Sequence, residues 1–166
     1  MKDTISPNAP DPAKESCSSC IATGSMTADG NIVLGHNTMN EFYYPNTNFI
    51  LDILPEKRHR ILMRANSGFI HSGTDFFVTN AGLIGSETTI GAFFPFDETG
   101  IPEFARMRSV TQYAANIDEW CGIMKKGNNG GYANAWLLGD ISTNEIARLE
   151  LELKNQRLHA VSAGNN

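Results

Sequence analysis

Cys17 is the residue whose type and setting could do chemistry unaided. It opens Cys17-Ser-Ser-Cys-Ile-Ala-Thr-Gly-Ser-Met26, a run of small and β-branched residues that reads as a strand. If the bond before it is cut, Cys17 carries a free α-amine beside its own thiol. Such an amine has a pKa of about 8, so part of it is neutral at physiological pH and can take the thiol's proton. One residue then supplies both nucleophile and base. His36 and Asn37, on the run that follows the next turn, can donate or accept hydrogen bonds near it.

The element that must position these groups is a hairpin. Asp29-Gly30 supplies the positive φ angles of a tight turn, and Asn31-Ile-Val-Leu34 is the return strand, running into Gly35-His36-Asn37. With Asp29-Gly30 at the tip, Cys17 pairs with about residue 42, and one bulge would move that to about 39 or 40. Asn37 to Phe42 is then the expected neighbour of Cys17, with His36 one step further off.

The remaining chain alternates in the same way. Asn48–Leu54, Arg60–Asn66, Asp75–Asn80 and Leu83–Ile90 read as strands, and Glu41-Phe-Tyr-Tyr-Pro45 is irregular. Pro102 and Glu103 start a helix whose apolar stripe is Phe104, Met107, Val110, Thr111 and Ala114. Asn116 caps a second, with Ile117, Trp120, Cys121 and Met124 on one side and Gly127 at its end. Ala133–Leu138 and Glu145–Leu153 are strands around the turn Asp140–Asn144, and Gln156–Val161 adds an edge strand. Sheet, two helices, then sheet again is an α+β pattern with helices layered on packed sheets. Residues 1–16 hold Pro7, Pro10 and Pro12 without apolar period. They read as a flexible lead-in, either a plain terminus or a pro-segment that must leave to expose Cys17, so that 17–166 is the folded domain.

Composition bounds the function. In 166 residues, 41% are hydrophobic and the formal net charge is −5, which suits a water-facing domain and disfavours nucleic acid or an anionic membrane surface as partner. No apolar run approaches the about 20 residues of a membrane span. There is no apolar secretory core and no N-x-[ST] sequon, and the compartment is left open. Three cysteines are too few for a disulfide scaffold. Cys17 and Cys20 form a C-x-x-C, but inside a strand they point to opposite faces, which suits neither a redox pair nor a metal. No metal or cofactor site is expected. Cys20 and Cys121 read as core thiols, His59 as solvated, and His71 has no visible partner.

Three stretches in order resemble one family. They are Cys17–Gly24 with Asp29-Gly30 and Gly35–Thr38, then Ala81-Gly-Leu-Ile-Gly-Ser-Glu-Thr-Thr-Ile90, then Asn128-Asn-Gly-Gly-Tyr-Ala-Asn-Ala-Trp-Leu-Leu-Gly-Asp140 with Glu145–Leu151. From about Cys17 to Lys154 the chain is similar to the N-terminal-nucleophile hydrolases of the penicillin acyltransferase (peptidase C45) and phospholipase B-like group. The resemblance implies an αββα sandwich, of which this chain would be the central part. It implies autocatalytic cleavage between Ser16 and Cys17, and hydrolysis or transfer at a carbonyl through an acyl-thioester on Cys17. It puts Asn134 at the side-chain amide that helps hold the oxyanion and Thr88 and Thr89 on a strand near the nucleophile, Thr89 being preferred. It also makes His36 and Asn37 site residues, and Glu87 between them and the threonines reads as a carboxylate that orients its strand neighbours. Met39 stands where relatives have Asp or Trp, which makes it a specificity position. The expected substrate is a linear acyl amide. The alternatives are a phospholipid ester, or an inert scaffold that binds and does not react, with missing segments or a second copy covering any bare apolar face.

Overall fold

The computed structural model describes residues 17–39, 47–73 and 76–162. The lead-in 1–16, the aromatic segment 40–46, Thr74, Asp75 and the tail 163–166 lie outside the described residues. β1 (Ser18–Gly24) and β2 (Gly30–Asn37) form a two-stranded antiparallel hairpin. A seven-stranded sheet follows in strictly sequential order: β3 (Asn48–Ile53), β4 (Ile61–Asn66), β5 (Phe76–Thr79), β6 (Leu83–Thr89), β7 (Asn134–Asp140), β8 (Glu145–Leu151) and β9 (Gln156–Ser162). All its neighbours are antiparallel. α1 (Glu103–Tyr113) and α2 (Ile117–Lys125) form the connection between β6 and β7. The strands and helices expected from the sequence are all present, with ends moved by a few residues.

The core lies between this sheet and the helices. Cross-strand partners of an antiparallel pair share a face, and successive residues alternate. Ile61, Met63, Phe77, Trp136, Leu138, Leu149 and Leu151 are buried on one face, against Met107, Val110, Trp120, Cys121 and Met124 of the helices. Trp120 stacks on Phe77 with ring centroids 6.2 Å apart and meets Trp136 at 5.3 Å. Asn116 caps α2 by accepting from the Glu119 N–H, while the Glu119 carboxylate accepts from the Ala115 N–H. Arg106, 2% exposed, crosses from α1 to donate to the carbonyls of Ile101 and Met124 and ties the helices together.

The hairpin lies on the opposite face, over β6, β7 and β8. The layers therefore run helices, seven-stranded sheet, hairpin, in a mixed, mostly antiparallel fold. Neither helix is long and apolar enough to cross a membrane.

Candidate active site

Asp29-Gly30 is not the tip of the hairpin. Gly24 pairs with Gly30, both at positive φ (61° and 76°), so the turn runs through residues 25–29. Two backbone bonds fold it, from Met26 N–H to the Thr23 carbonyl and from Thr27 N–H to the Gly24 carbonyl. The longer turn and the irregularity between Ala22 and Gly24 slide the register. Ser18 sits opposite Asn37 and Ser19 opposite His36. Continuing the ladder puts Cys17 opposite Thr38, closer to His36 than a tight turn would have it.

Alternation decides which groups face the sheet. Ser19, Ile21 and Thr23 of β1, and Ile32, Leu34 and His36 of β2, are partly or fully buried between the layers. Cys17, half-buried, has the parity of Ser19 and so faces inward. Its thiol makes a long 3.9 Å contact to the Met39 carbonyl. Cys20 has the other parity and is exposed, so the expectation that it belongs to the core is corrected. None of the three cysteines is in a disulfide. Cys121 is buried in α2, and burial pushes its thiol up to about 11, which makes it inert.

Polar straps hold the hairpin down. Asn144, at φ 58° in the turn between β7 and β8, accepts from the Thr23 hydroxyl at 2.8 Å and donates to the Gly30 carbonyl at 2.7 Å. In the middle, the Ser19 hydroxyl donates to the Gly35 carbonyl and pairs with the hydroxyl of Ser86 on β6. Ile32 seats on Gly139, where an added Cβ would lie 3.1 Å from it. At the Cys17 end, His36 Nε2–H donates to the Glu87 carbonyl at 3.0 Å. That bond fixes the tautomer, so Nδ1 is the acceptor for the Thr38 hydroxyl at 3.2 Å. Burial holds the His36 pKa below its ordinary value, against the opposing pull of the Glu87 carbonyl. The imidazole is therefore neutral at pH 7.

The structure sorts the other expected residues onto two faces. Thr89 pairs with Asn134 and Glu87 with Trp136, which puts Glu87, Thr89 and Asn134 on the helix-bearing face of the sheet. There they form one network with Tyr132. The Thr89 hydroxyl donates to the Tyr132 phenol at 3.0 Å, and the phenol donates to Glu87 Oε1 at 2.9 Å. Asn134 Nδ2 donates to Glu87 Oε2 and to the Ala133 carbonyl, both at 2.8 Å. Glu87 and Asn134 are wholly buried. Both amide hydrogens of Asn134 are thus engaged, away from the hairpin. Thr88 shares the parity of Ser86 and faces the hairpin layer, whereas Thr89 faces the helices. Tyr132 was not anticipated. It lies inside the quoted Asn128–Asp140 motif, but only the register of β6 against β7 brings its phenol to Glu87.

Beside the hairpin is an open cavity of about 350 Å³ lined by Leu34, His36, Asn37, Thr38, Arg64 and Phe76. It joins the return strand to β4 and β5, and so places a binding space next to the imidazole and Thr38. Asn37 is exposed at its rim and Met39, 52% exposed, lies just beyond. Two other histidines differ from expectation. His59 is half-buried and its backbone N–H donates to the Gln112 carbonyl of α1. His71 lies 3.9 Å from the Glu103 carboxylate between the rings of Phe69 and Phe104.

No family model matches the chain. It is 32% identical to phospholipase B-like 2 of Bos taurus over 88 residues, which is 49% of this chain and 15% of that protein. Against phospholipase B-like 2 of Mus musculus it is 26% identical over 145 residues, covering 74% of this chain and 24% of the relative. The Homo sapiens protein of the same name gives 23% over 147 residues, with 75% and 24% covered. The chain spans about a quarter or less of the length of these curated relatives. They are distant homologues, and they draw the chain towards the phospholipase B-like group.

Proposed function

We propose that this chain carries the reactive centre of an N-terminal-nucleophile hydrolase on an αββα scaffold, with Cys17 as the nucleophile. The observation that carries the reading is the position of Cys17. It opens a hairpin strand, faces inward, and lies two ladder positions from an imidazole of defined tautomer. Maturation begins when Cys17 Sγ attacks the Ser16 carbonyl. The peptide C–N bond breaks, the nitrogen takes the thiol proton, and water resolves the thioester, leaving Cys17 with a free α-amine.

In turnover the α-amine removes the thiol proton as Sγ adds to the substrate carbonyl. The same proton is delivered to the departing amine as the C–N bond breaks, leaving an acyl-thioester. Water loses a proton to the α-amine, adds to the thioester, and the C–S bond breaks to restore the thiol. His36 is a positioning residue. Through Nδ1 it orients the Thr38 hydroxyl opposite Cys17, and its own place is set by the Glu87 carbonyl. Tyr132, Thr89 and Asn134 hold the Glu87 side chain and so the end of β6. With both Asn134 hydrogens engaged there, positioning is the role its geometry supports. Thr88, Asn37 and Met39 lie toward the substrate.

The substrate on this reading is a linear acyl amide. A phospholipid ester is the second reading, supported by the name of the relatives. Trapping separates them. Mature protein incubated with a long-chain acyl amide or with a phospholipid, quenched in acid and digested, should carry the acyl mass on the Cys17 peptide. An acyl mass on any other residue, or turnover that survives Cys17→Ala, would remove the thiol from the mechanism.

A further inference from the structure

The open cavity beside the hairpin has a wall that the mechanism leaves unused. That wall is Arg64 of β4 and Phe76 of β5, facing His36 and Thr38 across the space. Register brings them there. Leu62 pairs with Val78 and Met63 with Phe77, so the next step sets Arg64 beside Phe76, and Phe76 pairs with Ser86. Ser86 in turn holds the hydroxyl of Ser19, two residues from Cys17. Cross-strand partners share a face, so Arg64, Phe76 and Ser86 form one row on the hairpin side of the sheet. Strands lie about 4.8 Å apart, which puts Arg64 about 10 Å across the sheet from the strand under Ser19. That is the scale of a small substrate whose carbonyl sits at Cys17.

The lining defines what would fit. His36 is neutral at pH 7, and Leu34, Asn37, Thr38 and Phe76 carry no charge. Among the described residues of the lining, the formal charge is therefore that of Arg64. Its guanidinium holds five N–H donors in a planar fork, more than one partner within the protein occupies, and the fork matches a carboxylate through two parallel bonds. Asn37 at the rim adds amide donors. Leu34 and Phe76 offer an apolar side to the methylenes of a short chain. The cavity's 350 Å³ is the share of about a dozen waters, enough for a carboxylate and the few atoms that carry it. An ammonium group would meet a like charge. A neutral ester or amide forgoes the charge-assisted bond. A dianion would leave one charge unmatched in a protein of net charge −5.

We propose that this cavity is a subsite for a carboxylate carried by the acyl amide that Cys17 cleaves, with Arg64 as the residue that selects it. This rests on the thiol reading above and narrows it, from acyl amides in general to those bearing one negative charge. Arg64 binds the substrate and takes no part in bond making.

Two matched pairs test it, with amine release as the readout. N-hexanoylglycine carries its carboxylate on the amine side, and the monopropylamide of adipic acid carries it on the acyl side. Each has its neutral methyl ester as control. The mature protein should favour at least one acid over its ester by about tenfold in kcat/KM, chiefly through KM. Arg64→Gln should bring that acid down to its ester, and Arg64→Lys should keep part of the preference. The Arg64 side chain is exposed and its backbone carbonyl keeps the Ser72 hydroxyl at 2.7 Å in either variant, so the fold should survive. Melting provides an arm that needs no turnover. 4-Oxononanoate, in which a methylene replaces the N–H of hexanoylglycine, should raise the melting temperature of the wild type and not of Arg64→Gln. A protein that turns over nothing yet shows this Arg64-dependent shift breaks the thiol reading and keeps the subsite. No preference in either pair together with no shift overturns the subsite, whether or not the thiol reacts. So does an Arg64→Gln variant that melts several degrees lower with its preferences unchanged. Arg64-dependent release from N-hexanoylphosphoethanolamine that outruns both acids would assign the cavity to a phosphate and overturn the carboxylate.

Discussion

The two faces of the seven-stranded sheet are covered in different ways. On one, the helices bury Trp120, Met107, Val110 and Met124 against Phe77, Trp136, Leu138 and Leu149, a continuous apolar contact. On the other, the hairpin is held by separate polar straps from Asn144, Ser86 and the Glu87 carbonyl, with Ile32 on Gly139 as its apolar seat. Burial scales with area, whereas each neutral hydrogen bond contributes only about 1 kcal/mol net. The helix face therefore carries stability, and the hairpin face carries placement. A hairpin pinned at discrete points can hold Cys17 in register while its near end stays open to a cavity.

Substitutions on the two faces should part company. Trp120→Ala removes the ring between Phe77 and Trp136 and should destabilise the whole protein by about 3–5 kcal/mol, read by urea unfolding. A loss under about 1 kcal/mol would mean the helix face is not the main core. Gly139→Val should push Ile32 off the sheet and cost about 1–3 kcal/mol, with hydrogen exchange rising in 18–37 more than in the helices. Uniform exchange would say the hairpin is not a separate layer energetically. Asn144→Ala takes away two bonds to the hairpin turn and should cost about 1–2 kcal/mol, with the exchange increase centred on 23–31.

The smallest effect is in pH. Burial lowers the pKa of His36 and of His71 below the ordinary 6.5. The unfolded chain then binds more protons than the folded one as pH falls past that value, so these groups make stability fall with acid. Their contribution is complete above about pH 7.5 and is lost as pH drops through 6.5 toward the lowered folded values. His36→Gln should flatten the slope of melting temperature between pH 7.5 and 5, with the remaining slope carried by His71. An unchanged slope would place the His36 ring in solvent instead of against Glu87.

The contrast between faces also explains what the sequence could reveal. Helical spacing exposed Ile117, Trp120, Cys121 and Met124, and all four are buried. Strand alternation exposed Leu149 and Leu151. Such patterns are local and repeat along the chain, so they are readable. The hairpin register was not, because Asp29-Gly30 signals a tight turn while Gly24, also at positive φ, opens it earlier. That shift decides which group stands opposite Cys17. The choice between Thr88 and Thr89 likewise depends on the absolute register of β6, since a one-residue difference exchanges faces. The Asn144 straps and the Tyr132–Glu87 bond join residues from separate strands or turns. No spacing in one stretch announces them. Cys20 misled because its small, apolar neighbourhood suggests a core, and only the pairing shows that its side of the hairpin faces outward.

The central claim is that Cys17 becomes the first residue. Intact mass and N-terminal sequencing of the purified protein test it directly, with Cys17→Ala prepared alongside. The account predicts that the wild-type chain begins at Cys17 and that the variant keeps Ser16 joined to residue 17. A wild-type chain that still begins at Met1 or Lys2 after prolonged incubation, or a variant cut at the same bond, would contradict it.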